Sequence, residues 1–305
     1  MQSVTTLLII LLPLVVGFLI RLPKGALVWL DRGLGYLIYV LLFLIGLSLS
    51  RVPNLSAQIS VISVNVTVLF ACIMGANLLI LIWLDRRYPW HLSQHQHNKI
   101  QNTFSFGGSF KQIACLVMGL ICGIYSEICT WFDPESAIKY ALIVLIFLVG
   151  VQLRSSGISL RQVLLNRRGV IIALIFMFSC MIGGIVFAMI MPGMTLSKGL
   201  ALSSGYGWYS LSSIILSQVY GPVWGSVAML NDLAREIFAL FFIPVIMRRF
   251  PCTAIASGGA TSLDFTLPVI QSSGGITAVP VAISFGFIVN LVSPILLVFF
   301  SSVSF

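Results

Sequence analysis

Residues 40–49 read VLLFLIGLSL, and residues 144–153 read VLIFLVGVQL. Six of the ten positions are identical and three more exchange one aliphatic side chain for another, at an offset of 104. Each copy lies within an apolar run of the length that crosses the roughly 30 Å hydrocarbon core of a bilayer as an α-helix. Outward from the first copy, the runs 4–20, 33–50 and 59–84 form one set, and 112–131, 137–153 and 169–191 form a second. Three is odd, so the two sets cross the membrane in opposite directions, which is a 3+3 inverted-topology repeat. Two further runs, 222–247 and 276–300, bring the predicted transmembrane helices to eight.

The composition demands such a solvent. Of 305 residues, 17 are Lys or Arg and 8 are Asp or Glu. The charged share is 8%, the apolar share 59% and the mean hydropathy +1.07. A water-soluble surface needs far more polar cover than that, so a soluble enzyme and a disordered chain are both excluded. The +9 balance then reads as loop charge that sets orientation, not as a nucleic-acid footprint. The six cysteines (Cys72, Cys115, Cys122, Cys129, Cys180, Cys252) form no C-x-x-C pair. They support neither a zinc site nor a disulfide framework, and no cofactor is implied. The span 4–20 lacks a basic n-region and a small-residue cleavage pattern, so it reads as a retained anchor.

Two stretches, 196–218 and 253–273, are long enough to span but crowded with Gly, Ser and Thr. They are predicted to be broken, re-entrant segments. Loop charges support this. The loops around 21–32, 85–111 and 154–168 hold eleven Lys and Arg, and alternate with loops carrying only Arg51, Lys139 and Lys198. The basic loops are therefore cytoplasmic and the N-terminus is outside. If 196–218 is re-entrant, Arg248 and Arg249 join the inner set and the C-terminus is also outside. A fainter repeat sets Gly205 against Gly259, Gly221 against Gly275, Ser210 against Asp264 and Glu236 against Asn290, at an offset of 54. It makes the two re-entrants enter from opposite sides. The organisation is then two inverted three-helix repeats over 1–191 (1–84 and 112–191, joined by the cytoplasmic loop 85–111), with two re-entrant/helix pairs over 192–305 forming the transport site.

Ionisable groups deep in a membrane are costly and mark function by default. The predicted span 222–247 carries Asn231-Asp232-Leu233-Ala234-Arg235-Glu236. Asp232 and Glu236 are four apart and share a helix face, and Arg235 is three from Asp232 and can neutralise it. Asp264 follows Thr261 and Ser262 near the tip of the second re-entrant, behind Gly258-Gly259, where glycines let backbone approach a ligand. The first tip offers Tyr206, Trp208 and Ser210, faces and hydroxyls suited to an ammonium or an amino-acid backbone. Asn290 is the repeat partner of Glu236. Three carboxylates against Arg235 leave the site formally −2, which favours a cationic substrate or protons. Glu127, Asn65 and Asn77 are weaker candidates. His91, His95 and His97 read as solvated loop residues, not as metal ligands.

The runs FLVGVQLR (147–154), LNRRG (165–169), SGYGWYSLS (204–212), GPVWGS (221–226), NDLARE (231–236) and ATSLDFTLPV (260–269) closely resemble the bacterial lysine exporter LysO family. The likeness runs over nearly the whole chain, in order, and is weakest in 85–111. It implies a multi-pass inner-membrane exporter of L-lysine and its toxic analogue thialysine, with essential intramembrane carboxylates that fall on Glu236 and Asp264. Exchange for protons is expected, because a Lys⁺ leaving a negative-inside cell works against about 2.3 kcal/mol per 100 mV. Lipids are the expected surroundings and a homodimer is an admissible assembly. Two other functions use the same residues. A sodium-coupled organic-anion transporter would use a related scaffold, and an intramembrane aspartyl protease would pair Asp232 with Asp264. The protease lacks a Gly-x-Gly-Asp motif.

Overall fold

A computed structural model of the chain describes residues 12–13, 15–50, 55–90, 107–125, 133–155 and 166–303. Among the described residues the regular structure is entirely helical. The helices are α1 (Lys24–Ser50), α2 (Leu55–Arg87), α3 (Gly107–Tyr125), α4 (Pro134–Ser155), α5 (Arg167–Ile190), α6 (Leu196–Ser203), α7 (Tyr209–Tyr220), α8 (Pro222–Ile246), α9 (Pro251–Ser257), α10 (Leu267–Gly274) and α11 (Val279–Ser302). Short 3₁₀ turns at Gly259–Leu263 and Ile276–Ala278 flank α10.

Among the described residues, four stretches are long and apolar enough to cross a membrane: Arg32–Ser50, Ser60–Arg87, Arg167–Ile190 and Val279–Ser302. They coincide with the predicted spans 33–50, 59–84, 169–191 and 276–300. Helix α8 has 25 residues and would reach about 37 Å, but Asp232, Arg235 and Glu236 interrupt its apolar run. The expected span 137–153 falls in α4. Only part of 112–131, and about half of 4–20, falls within the described residues. His91, His95, His97, Glu127 and Cys129 lie outside them.

Helix boundaries follow local chemistry. The Asn166 side chain caps α5 by accepting from Gly169 N at 3.1 Å. That helix ends where Met191 turns extended ahead of Pro192. Thr195 caps α6, accepting from Lys198 N at 3.3 Å. A glycine at φ 90°, Gly221, followed by Pro222, resets the chain between α7 and α8. Asp85, at the end of α2, holds the start of α9. Its carboxylate accepts from Cys252 N (3.0 Å), Thr253 N (2.8 Å) and Thr253 Oγ1 (2.7 Å). This satisfies donors that a helix N-terminus leaves open.

The packing has two groups. Helix α1 lies against α3 and α4. The α1–α3 crossing is close because Gly46 and Gly119 offer no Cβ: one on Gly46 would overlap the Leu116 carbonyl, and one on Gly119 the Phe43 carbonyl. The other group joins α2, α5, α8 and α11 with the short helices. There Gly183 of α5 sits on α2, where an added Cβ would stand 2.6 Å from Ile73 Cα. Apolar side chains such as Leu79 (75% exposed) and Met189 (80%) look outward from α2 and α5, as helices in contact with lipid must.

Candidate functional site

Two of the residues singled out by charge, Asp232 and Arg235, meet where the two short-helix hairpins touch. The turn between α6 and α7 forms the first tip. It turns at Tyr206 (φ 55°) and Gly207 (φ 89°). Tyr206 is the one non-glycine residue with positive φ among those described. The 3₁₀ turn after α9 forms the second tip and starts at Gly259 (φ 59°). Ala260 N donates to the Tyr206 carbonyl at 2.8 Å, so the tips are bonded backbone to backbone. A Cβ on Gly259 would overlap that carbonyl.

Two long helices hold the tips. From α8, the Asp232 carboxylate (2% exposed) accepts from Gly207 N at 3.2 Å, Ser212 Oγ at 2.6 Å and Asn231 Nδ2 at 3.2 Å. From α11, Ser293 Oγ donates to the Ser204 carbonyl at 2.9 Å. Asn290 Nδ2 donates to the Ala260 carbonyl at 2.9 Å and to its own Gly286 carbonyl at 3.0 Å. Asn290 and Ser293 lie one turn apart on α11 and grip one tip each.

Arg235 lies at the junction and is 2% exposed. A Cβ on Gly207 would stand 3.1 Å from Arg235 Cδ, and one on Gly259 3.5 Å away. The absent side chain of Gly207 thus makes room for its stem, and Gly259 lies within ordinary contact of it. The guanidinium lies 5.1 Å over the Phe176 ring, a cation–π geometry. Its Nη2 donates to Cys180 Sγ at 3.7 Å. Cys180 also receives Asn77 Nδ2 at 3.4 Å, and Ser179 Oγ donates to Asn77 Oδ1. A polar thread therefore runs from α2 through α5 to Arg235.

Arg235 stands near enough to act electrostatically on Asp232, as helix spacing predicts, but the two do not bond directly. Among the described residues the two form no ion pair; Asp232 is occupied by donors of the first tip. Glu236 is buried on the same helix at 3% exposure. Asp264 closes the second tip but is exposed, accepting from its own neighbour Phe265 N at 2.5 Å. Asp232, buried beneath the first tip, and Asp264, exposed on the second, share no hydrogen bond. Ser262 Oγ donates to the Ile255 carbonyl and Thr261 Oγ1 to Gly258, at 2.7 and 2.8 Å, bracing the second tip. Ser210 is buried in the first turn of α7, and Trp208 is that helix's N-terminal cap residue. Asn231 is buried at 2% with its Oδ1 unmatched.

Four residues missing from the sequence-derived set belong here: Phe176, Cys180, Ser212 and Ser293. Phe176 and Cys180 sit in the apolar run of α5, 59 and 55 positions before Arg235, with no local pattern to mark them. Ser212 lies just beyond the hydroxyl-rich first tip, where a helical turn brings it round to Asp232.

The sequence profile of the family described as lysine exporter LysO matches residues 113–301. The chain is 43% identical over 302 residues to the lysine exporter LysO of Escherichia coli (strain K12), covering 97% of this chain and 99% of that protein. It is 50% identical over 191 residues to a Haemophilus influenzae protein named "Putative lysine exporter", covering 62% of this chain and 96% of that protein. No solved structure gives a significant match.

Proposed function

Because the chain belongs to the lysine exporter LysO family, we propose that it exports L-lysine, and with it thialysine, in exchange for protons. It is a multi-pass protein of the bacterial inner membrane, and its family is one of transporters. The observation that carries the proposal is the junction itself. Two helical tips, too short to span, meet around buried charge supplied by a long helix. Discontinuous helices of this kind build substrate and ion sites near the bilayer midplane. Irregular backbone at that depth is tolerated only where protein or a water-filled cavity surrounds it.

The helix bounds support an inverted repeat of the two hairpins. Moved by 54, α6 would cover 250–257, and α9 covers 251–257; α8 would cover 276–300, and α11 covers 279–302. The glycines before α8 and before the 3₁₀ turn leading into α11, Gly221 and Gly275, both have positive φ (90° and 74°). The longer repeat has an echo in packing: Gly119 sits on the Phe43 carbonyl, and Gly17 on the carbonyl of Phe147, the repeat mate of Phe43. In this reading eight spans and two opposed re-entrants leave both termini outside.

The tips are pinned to α8 and α11 more firmly than to each other. Alternating access then comes from movement of the group holding the tips against α1, α3 and α4, with the site carried intact. Glu236 and Asp264 are the groups that exchange a proton for a substrate ammonium. Asp232 has a different duty, because its oxygens already hold the first tip. One proton in for each Lys⁺ out makes the exchange electrically neutral and removes the work against the potential.

The test uses purified protein in liposomes, with labelled-lysine flux and proton flux recorded together. Lysine efflux should drive proton uptake, with no effect of sodium. Sodium-dependent movement of an organic anion would instead favour the related-scaffold alternative.

A further inference from the structure

We propose that Arg235 is the receptor for the substrate's α-carboxylate, so that this protein selects amino acids bearing a free carboxylate and rejects the corresponding diamines. The inference rests on the lysine-export function above and assigns the recognition chemistry of that same site.

Arg235 is a permanent cation held where a cation is costly. Its Nη1 is buried with no hydrogen-bond partner. Its Nη2 reaches only a thiol, Cys180 Sγ, at 3.7 Å, and sulfur is a weak acceptor. The carboxylate nearest in sequence on its N-terminal side, Asp232, has its oxygens taken up by Gly207, Ser212 and Asn231. The guanidinium therefore keeps a fork of two terminal nitrogens whose natural complement is a carboxylate bound in two-point fashion. Leaving a buried donor unmatched costs free energy, and here it is matched when a carboxylate arrives.

Position supports the same assignment. The Arg235 stem lies against Gly207 and Gly259, one from each tip: a Cβ on them would stand 3.1 and 3.5 Å from its Cδ, tight at the first and in ordinary contact at the second. The Phe176 ring beneath the guanidinium also packs on the Tyr206 ring at 5.6 Å between centroids. The buried Tyr206 hydroxyl has Ser204 as its polar neighbour but makes no well-formed hydrogen bond to it, the Ser204 hydroxyl donating to the Leu200 carbonyl at 2.7 Å. It is a second donor beside the fork. L-Lysine carries one carboxylate and two ammoniums. With the carboxylate on Arg235, the acidic residues are left to the ammoniums.

The experiment is counterflow of labelled L-lysine in proteoliposomes holding the full chain, with unlabelled L-lysine, L-lysinamide, cadaverine (the decarboxylated diamine) or 6-aminohexanoate as competitors. A site built around a hydrogen-bonded group rejects an analogue lacking it by orders of magnitude. Lysinamide and cadaverine should therefore compete at least about a hundredfold more weakly than lysine. Arg235→Gln should lose lysine counterflow, and its residual binding should no longer separate lysine from cadaverine. Tyr206→Phe should weaken lysine competition by roughly tenfold while leaving that of cadaverine unchanged. Cadaverine or lysinamide competing as well as lysine in the unsubstituted protein overturns the proposal without any reliance on a variant. Robust lysine counterflow in that experiment keeps the export function standing. Absence of any lysine counterflow overturns both.

Discussion

Gly259→Ala tests whether the contact between the tips is what seals the site. The alanine would sit at φ 59°, a conformation that costs an L residue about 1–2 kcal/mol. Its Cβ would overlap the Tyr206 carbonyl and stand 3.2 Å from the Tyr206 carbonyl carbon. Backbone cannot swing aside as a flexible side chain can, and overpacking of this kind costs about 1–3 kcal/mol. Moving the carbonyl away also breaks the 2.8 Å bond from Ala260 N, a further loss of about 0.5–1.5 kcal/mol. Parting of the tips should then become easier by at least about a hundredfold, at 1.4 kcal/mol per decade. Cys180 reports the event, being 0% exposed and lying beneath Arg235. Its labelling by a water-soluble thiol reagent, followed by site-resolved mass spectrometry, should accelerate by that factor. Cys252, 6% exposed and fastened by Asp85, is the internal reference, because global loosening would expose both thiols. Gly193→Ala is the control for backbone conformation alone: φ is 70° and no atom lies within 4 Å of an added Cβ. Unchanged Cys180 labelling in Gly259→Ala would show that this contact does not close the site.

Glu236→Gln and Asp264→Asn should each abolish lysine-driven proton movement in liposomes while the protein still inserts and folds; full proton flux in both variants would remove the two carboxylates from the coupling mechanism. Asp232→Asn should be damaging, since an amide presents its own N–H groups to a position gripped by three donors. The loss should be about 1.5–3 kcal/mol against about 1 kcal/mol for Ser212→Ala, read from unfolding in detergent. Asp85→Asn should loosen the start of α9 by a similar amount, seen as faster hydrogen exchange at Cys252 and Thr253 with α5 unaffected. Accessibility labelling of single cysteines should place both termini outside and positions near Arg154 and Arg248 inside; cytoplasmic labelling of either terminus would break the eight-span arrangement.

Much of the fold is legible because a bilayer permits few alternatives. An uninterrupted apolar run such as 169–191 can only be a spanning helix, and α5 covers Arg167–Ile190. The excess of Gly, Ser and Thr in 196–218 and 253–273 is equally telling, since those stretches fold as short helices around glycine turns. What pairs with what is far less legible. Helix periodicity puts Arg235 one turn from Asp232 and next to Glu236, so a sequence reader expects the cation to be neutralised on its own helix. The fold assigns these groups to different partners. Asp232 is claimed by the backbone and hydroxyl of the first tip, 20 to 25 residues earlier. The Arg235 stem is claimed by two glycines that lie 52 residues apart and come together only when both tips are in place. Its Nη2 ends on a cysteine 55 residues away that looks like ordinary packing in α5. Local spacing can say that charge is buried here, but not whether that charge is already spent. A carboxylate with three donors is spent on holding the fold, whereas a guanidinium with one terminal nitrogen on a thiol and the other unmatched is the group proposed above to meet a ligand.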